Sequence, residues 1–260
     1  MSAPLITLTT DLGLSDYYVA ALKGQLYDLL PDARLLDISH LAKPFDALSA
    51  ALELERVLPF MPAKAVHLVA VGNRSENTTD FLVARLNETY FIGFDNGMFT
   101  RILEGKNAET WIRPIEVTHT ANSFDALKAL ALAAFLSVEN RLSEFFASSN
   151  GQYKKAIERT IMRNGNSIQI SIHKVDAFEN AITNLHFSEF EKLVNGNPFQ
   201  LNITRGTILS TILPSYSSVA FGSPGALFNS SGYLEIFIRG GRGASLLGLS
   251  LDKSIFLIIL

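Results

Sequence analysis

The spacing of apolar residues changes character near residue 150, and that change restricts the chain to two differently built halves. Before it, short apolar runs alternate with stretches of helical period: residues 5–9 read as a strand, and Val19, Leu22, Leu26 and Leu29 fall on one helix face. Residues 34–38 and 66–71 read as further strands, with a helix over 44–58 between them. This alternation specifies an α/β domain with a largely parallel sheet. Residues 81–93 read as a hairpin-like pair, and residues 124–135, apolar on nearly every side, as a helix buried against the sheet. Between residues 143 and 155 the pattern lapses into a polar stretch, Ser148-Ser149-Asn150-Gly151-Gln152. Beyond it Ile168, Ile170 and Ile172 alternate with polar neighbours, and 199–204, 207–213, 233–238 and 254–260 are further strand candidates. The second half is therefore mainly β, a small barrel or sandwich, and the domains divide as 1–147 and 148–260.

Composition removes several function classes. The chain has 22 basic and 25 acidic residues and a net charge of −3, so it presents no broad positive field for nucleic acid or anionic lipid. A small-molecule ligand is the expected partner, with no nucleic acid and no membrane. Cysteine is absent, which excludes thiol catalysis, thiolate metal sites and a disulfide scaffold. Residues 1–10 have no basic segment or long apolar core, so no signal peptide is expected. Residues 254–260 are far shorter than the ~20 apolar residues of a membrane span. A cytoplasmic protein is the expectation. No dinucleotide-binding or P-loop glycine pattern occurs, and His40, His67, His119, His173 and His186 show no metal-ligand spacing, so no metal is expected.

Four segments stand out for possible chemistry, and each also has a purely structural reading. Thr9-Thr10-Asp11-Leu12-Gly13 lies past the carboxyl end of the first strand, where open α/β sheets place their ligand crevice. An ionised Asp11 could accept from both hydroxyls of a ribose, or it could only tie down the turn. Asp16 could meet a ligand or cap the next helix. Asp95-Asn96-Gly97 has the residues of a tight turn. Arg239-Gly240-Gly241-Arg242-Gly243 could let a ligand approach the backbone, form part of an RNA-binding arginine-glycine segment, or be a plain turn.

Taken together and in order, these segments resemble the S-adenosylmethionine hydroxide adenosyltransferases, or SAM hydrolases, a family that includes the fluorinase and chlorinase. The resemblance runs through residues 9–24, Asp37-Ile38-Ser39-His40 and Pro44-Phe45-Asp46, and continues in Phe91 to Gly97, Phe178 to Asn184 and Asn229 to Ile236. It implies an α/β N-terminal domain followed by a smaller antiparallel β-barrel domain, a homotrimer, and no cofactor beyond S-adenosylmethionine itself as substrate or ligand. By the same resemblance Asp11 would hold the ribose hydroxyls and Asp16 the methionine amino group, with Phe45 and Tyr216 as apolar and stacking walls. Asn180 and the backbone near Gly240 would read the adenine edge, Ser230 and Ser231 would grip the methionine carboxylate, and Ser123 would lie near the reacting carbon.

The family reaction is displacement at the ribose 5′ carbon, with methionine leaving as a neutral thioether. In the hydrolases an Asp, Arg and His set orients the attacking water, and those positions are Gly72, Thr79 and Asn122 in this chain. Glu76 and Asp80 are the nearby acids able to replace the missing carboxylate. Glu179 and Arg239 stand where the family usually has Gly and Asn. The sequence therefore reads as a divergent SAM hydrolase, with the usual water-activating residues replaced and Asp11, Asn122 and Ser123 as the catalytic candidates. The alternative is an inactive sensor or assembly protein on the same scaffold.

Overall fold

A computed structural model of the chain describes residues 3–72, 79–115, 123–156, 161–204, 206–251 and 253–260. It divides into two compact units, Met1–Ile157 and Glu158–Leu260. Composition places the division after residue 147, whereas the chain up to residue 156 is tied to the first unit. Ala147–Ser148 pairs with a strand of that unit's sheet, Lys154 N donates to Asp95 Oδ1 at 2.8 Å, and Ala156 N donates to Thr100 Oγ1 at 2.9 Å.

The first unit is built on a seven-stranded sheet. Its elements are β1 (Leu5–Thr10), α1 (Tyr18–Leu29), β2 (Arg34–Ser39), α2 (Ala47–Val57), β3 (Val66–Ala70), β4 (Thr79–Leu86), β5 (Thr89–Phe94), α3 (Phe99–Leu103), β6 (Glu109–Ile115), α4 (Ser123–Val138) and β7 (Ala147–Ser148). The order is β2-β1-β3-β5-β4-β6-β7, with β2, β1, β3 and β5 parallel and the rest antiparallel. The expected hairpin is β4–β5. Strand alternation sends Ile6, Leu8, Leu68 and Ile92 to the face covered by α1 and α4. Val69, Phe91 and Leu82 go to the face covered by α2 and α3. The all-round apolar surface of α4 follows from this: Leu130, Ala131, Ala133 and Ala134 are fully buried. Helix α2 starts later than its apolar period suggests, because Phe45 has φ +64°, outside the helical range, and Asp46 caps the helix by accepting from Ser49 N.

The second unit carries β8 (Met162–Asn164), β9 (Ser167–Val175), β10 (Ala181–His186), α5 (Phe187–Val194), β11 (Phe199–Thr204), β12 (Thr207–Leu209), β13 (Pro224–Phe228), β14 (Tyr233–Ile238), α6 (Gly243–Leu246) and β15 (Ser254–Ile259). Its strands form an antiparallel, barrel-like sheet in the order β12-β11-β15-β9-β10-β14-β13, with β8 on β9. Ile168, Ile170 and Ile172 point into its core with Leu201, Leu234, Ile236 and Leu257. The strand expected over 207–213 stops at Leu209, and Leu213 N instead bonds Ala226 O, carrying the chain to the β13 edge. No helix among the described residues is long and apolar enough to cross a membrane.

One polar pair lies inside the first sheet. Thr7 and His67 face each other across β1 and β3, both about 1% exposed, with Thr7 Oγ1 2.7 Å from His67 Nδ1. Burial pushes the His67 imidazole from 6.5 down to about 4. The unfolded chain takes up this proton near pH 6.5 and the folded protein only near 4, so stability is full above 6.5 and declines between the two. The decline attributable to His67 is about 3 kcal/mol, at roughly 1.4 kcal/mol per pH unit. Denaturant unfolding measured from pH 7 to pH 4 should show this slope, and His67→Asn, which keeps a polar partner for Thr7 without a titrating ring, should flatten it.

Candidate functional site

The first unit gathers its candidate residues at the carboxyl ends of β1 and β3. The strand order reverses between these two strands, since β1 leads outward to β2 on one side while β3 lies on the other. Side chains at such a switch point border a crevice rather than a crossover helix. Asp11 follows β1 directly. Its Oδ2 accepts from Phe45 N at 3.1 Å and Gly72 N at 3.0 Å, while Oδ1 has no hydrogen-bond partner among the described residues. Both readings of Asp11 thus coexist on one carboxylate: one oxygen ties down two loops, and the other is free to accept from a ligand.

The turn that presents Asp11 has its own supports. Thr10 Oγ1 accepts from Leu12 N at 3.3 Å and lies 2.9 Å from His40 Nδ1, while the His40 carbonyl accepts from Gly13 N at 2.8 Å. His40 Nε2 in turn lies 3.1 Å from Asp37 Oδ1, and Lys23 Nζ lies 2.6 Å from Asp37 Oδ2. Burial opposes the charge on Asp37, but the bonds from Lys23 and His40 outweigh it and hold the carboxyl below its ordinary value. The loops on either side are conformationally unusual. Phe45 is 57% exposed at φ +64°, a left-handed conformation that costs a non-glycine residue about 1–2 kcal/mol and that its bond to Asp11 helps offset. Asp16 is exposed and has no bonded partner among the described residues. The N-cap of α1 is Tyr17, with no side-chain cap, so capping is not the use of Asp16.

Gly72 sits at φ +81°, and a Cβ there would lie 2.8 Å from Asn96 Nδ2. Asn96 is fixed by its bond to Val71 O at 2.9 Å, and Gly97 lies against Ala156. The Asp95-Asn96-Gly97 turn therefore shapes the Gly72 loop as well as anchoring residues 154–156. Asn122, Glu76 and the side chains of Thr79, Asp80 and Ser123 lie outside the described residues. Gly72 is the described member of the positions that would orient water, and its conformation leaves no room for a side chain. Gly72→Ala is expected to lower unfolding stability by about 1–2 kcal/mol from the left-handed backbone alone. An unchanged melting temperature would contradict this.

The second unit holds the remaining candidates in three turns. In the first, Asp176 Oδ1 accepts from Phe178 N and from Asn180 N, and Asp176 Oδ2 accepts from Asn180 Nδ2 at 3.2 Å. Asn180 is 9% exposed and its Oδ1 is without a partner among the described residues, an acceptor suited to an exocyclic amine. Glu179, at φ +61°, pairs with Arg242, accepts from Ser245 N at 3.2 Å, and gives its carbonyl to Ala244 N at 2.7 Å. The hydrogen bonds from Ser245 and Arg242 hold the Glu179 carboxyl below its usual range. The departures from the family pattern are thus tied into the fold: Glu179 joins its turn to the glycine-rich turn, where Gly240 has φ +67° and lies under the Phe221 ring. Arg239 instead donates to Val219 O at 2.7 Å and Ser217 O at 3.2 Å.

The third turn joins β13 to β14. Asn229 Oδ1 accepts from Ser231 N at 3.0 Å and Tyr233 N at 3.1 Å, which leaves the Ser230 and Ser231 hydroxyls without partners among the described residues. Tyr216, 46% exposed, packs edge-on against Phe237 and donates its hydroxyl to Glu235 Oε1 at 2.6 Å. Burial and Glu235 together push the Tyr216 phenol well above its ordinary value. Sequence pattern alone assigns no site role to Glu235, Asn229 or Asp176. The available signal was Glu235 itself, a lone acid inside the apolar strand Tyr233–Ile238. Among the described residues, no group of three His, Cys, Asp or Glu could hold a metal ion.

The chain thus combines an α/β unit that carries a switch-point acid with an antiparallel, barrel-like unit that carries hydroxyl-bearing turns. A solved structure of a conserved protein from Thermotoga maritima has the same fold, with a TM-score of 0.84 at 24% identity over 97% of this chain and 99% of that one. The chain belongs to the SAM hydroxide adenosyltransferase family, whose N-terminal domain matches residues 6–146 and whose C-terminal domain matches residues 170–256. It is 28% identical to an (R)-S-adenosyl-L-methionine hydrolase of Salinispora tropica, over 95% of each chain. It is 27% identical to the enzyme of the same name from Thermus thermophilus, over 92% of this chain and 94% of that one. A fluorinase of Actinoplanes is 23% identical over 90% of each.

Proposed function

We propose that the protein binds S-adenosylmethionine and hydrolyses it to adenosine and L-methionine. Family membership and the names of the full-length relatives support this reading, and the (R) configuration at sulfur is taken from those names. The observation that supports it is the divided Asp11 carboxylate: Oδ2 is taken by two backbone amides, and Oδ1, without a partner among the described residues, would accept from a ribose diol. In the first unit Asp11 takes the ribose hydroxyls, Asp16 the methionine amino group and Phe45 one wall. In the second, Asn180 and the Gly240 backbone take the adenine edge, Tyr216 a second wall, and Ser230 and Ser231 the methionine carboxylate. Asn122 and Ser123 are assigned to the reacting carbon.

In the reaction water attacks the 5′ carbon in line with the departing sulfur. The C5′–S electron pair goes to sulfur, a C5′–O bond forms, and one proton passes to solvent. The sulfonium is already a good leaving group, so the protein's work is alignment and exclusion of bulk water. No cofactor is needed for this step. A homotrimer in the cytoplasm belongs to the same proposal, and light scattering coupled to size exclusion should give three chains per particle.

Titration calorimetry with S-adenosylmethionine, followed by chromatography of the mixture, should show binding and then adenosine with methionine in equal amounts. Binding without adenosine would leave a sensor, and no binding would overturn the proposal. Asp11→Asn keeps one oxygen for Phe45 and Gly72 but turns an amide donor toward the ribose. It is expected to fold and to lose about 1.5–3 kcal/mol of binding, the contribution of a hydrogen bond to a charged group.

A further inference from the structure

Glu235 is 2% exposed, the one buried acid among the described residues of the second unit. Burying a carboxylate is costly unless each oxygen is bonded, and here each is: Oε1 accepts from the Tyr216 hydroxyl at 2.6 Å and Oε2 from Asn229 Nδ2 at 3.2 Å. These two partners belong to different segments. Asn229 uses its other amide atom, Oδ1, to hold Ser231 N and Tyr233 N, so the orientation of its amide fixes the Ser230–Ser231 turn. That orientation is set by Glu235, which can only accept and therefore turns the Nδ2 side toward itself.

Tyr216 is held through the chain that follows it and through its ring. Arg239 grips the carbonyls of Ser217 and Val219, and the ring rests against Phe237, two positions from Glu235 on the same face of β14. Gly225 makes this possible, because a Cβ there would lie 2.5 Å from Phe237 Cζ. What remains undetermined by these contacts is the tilt of the ring, and the bond to Glu235 fixes it.

We propose that Glu235 is a positioning residue for the ligand: through one carboxylate it sets both the Tyr216 wall and the serine turn, and it selects for a ligand that carries a carboxylate next to its nucleoside. This rests on the proposed function. It adds that preference for S-adenosylmethionine over adenosine is set by a side chain that touches neither.

The test is calorimetry of wild-type protein, Glu235→Gln and Tyr216→Phe with S-adenosylmethionine and with adenosine. Gln at 235 can accept with only one atom and presents a donor to the other partner. It is expected to weaken S-adenosylmethionine at least tenfold and adenosine about threefold, because adenosine does not engage the serine turn. Tyr216→Phe cuts only the wall and should weaken both ligands alike. Equal losses for the two ligands in Glu235→Gln, or no loss, would overturn the proposal, since a general weakening of the barrel has no reason to distinguish them. If Glu235→Gln does not accumulate as folded protein, Glu235→Asp, which withdraws the charge by one methylene, should show the same ordering with smaller factors. Wild-type protein that binds neither ligand counts against the proposed function, whereas wild-type binding with indiscriminate losses counts only against the role of Glu235.

Discussion

The first unit depends on a single carboxylate oxygen. Asp11 Oδ2 takes the N–H groups of Phe45 and Gly72, residues that are far apart in the sequence and belong to the loops after β2 and β3. Both loops have left-handed backbone at the bonded residue, φ +64° and +81°, so neither conformation is one the chain would hold unaided. A charge-assisted bond at each point supplies what local preference does not. The turn beneath is braced in the same manner by Thr10, His40, Asp37 and Lys23, which run as a line of contacts from the buried end of β1 to the surface. The backbone at Phe45 and Gly72 is therefore held by the fold itself rather than by a ligand.

The second unit solves the same problem with three side chains that accept from backbone amides. Asp176, Asn229 and Glu179 each receive N–H groups from their own or a neighbouring turn, and the first two leave nearby polar groups without partners among the described residues: the Asn180 amide oxygen and two serine hydroxyls. Glu179 shows how a departure from a family pattern can be absorbed. A residue that stands where glycine is usual keeps the positive φ, and its side chain gains an ion pair with Arg242 and a bond to Ser245. The side chain thus links two turns from a backbone position that is itself strained.

Much of the architecture was legible because hydrophobic burial writes a period. The short apolar runs of β1 and β3, the alternation in β9, the helical spacing of α1 and the all-round apolar surface of α4 each matched the element found. What the pattern could not convey was where a period is overruled. The apolar spacing of α2 extends back to Pro44, but the Asp11 bond holds Phe45 out of the helix. The strand beginning at Thr207 ends at Leu209 because the next stretch crosses to the β13 edge. The site was legible as residue types at turns, while its division of labour was not. Nothing in the sequence separates Asp11 Oδ1 from Oδ2, rejects Asp16 as a cap, or joins Tyr216 to Asn229 through Glu235. Those facts are contacts between distant segments, and single-chain pattern carries only local ones.

Gly72 bears on the history open to such a protein. Its left-handed backbone, its bond to Asp11 and the nearness of the Asn96 amide set a cost on any replacement here. An acid gained at this position through a lone codon change would carry the strain of positive φ, as Glu179 does in the second unit, and would have to push the Asn96 amide aside. Descendants that need a water-orienting group are thus steered toward recruiting one from elsewhere in the crevice, so that enzymes of one ancestry can reach the same hydrolysis with different side chains.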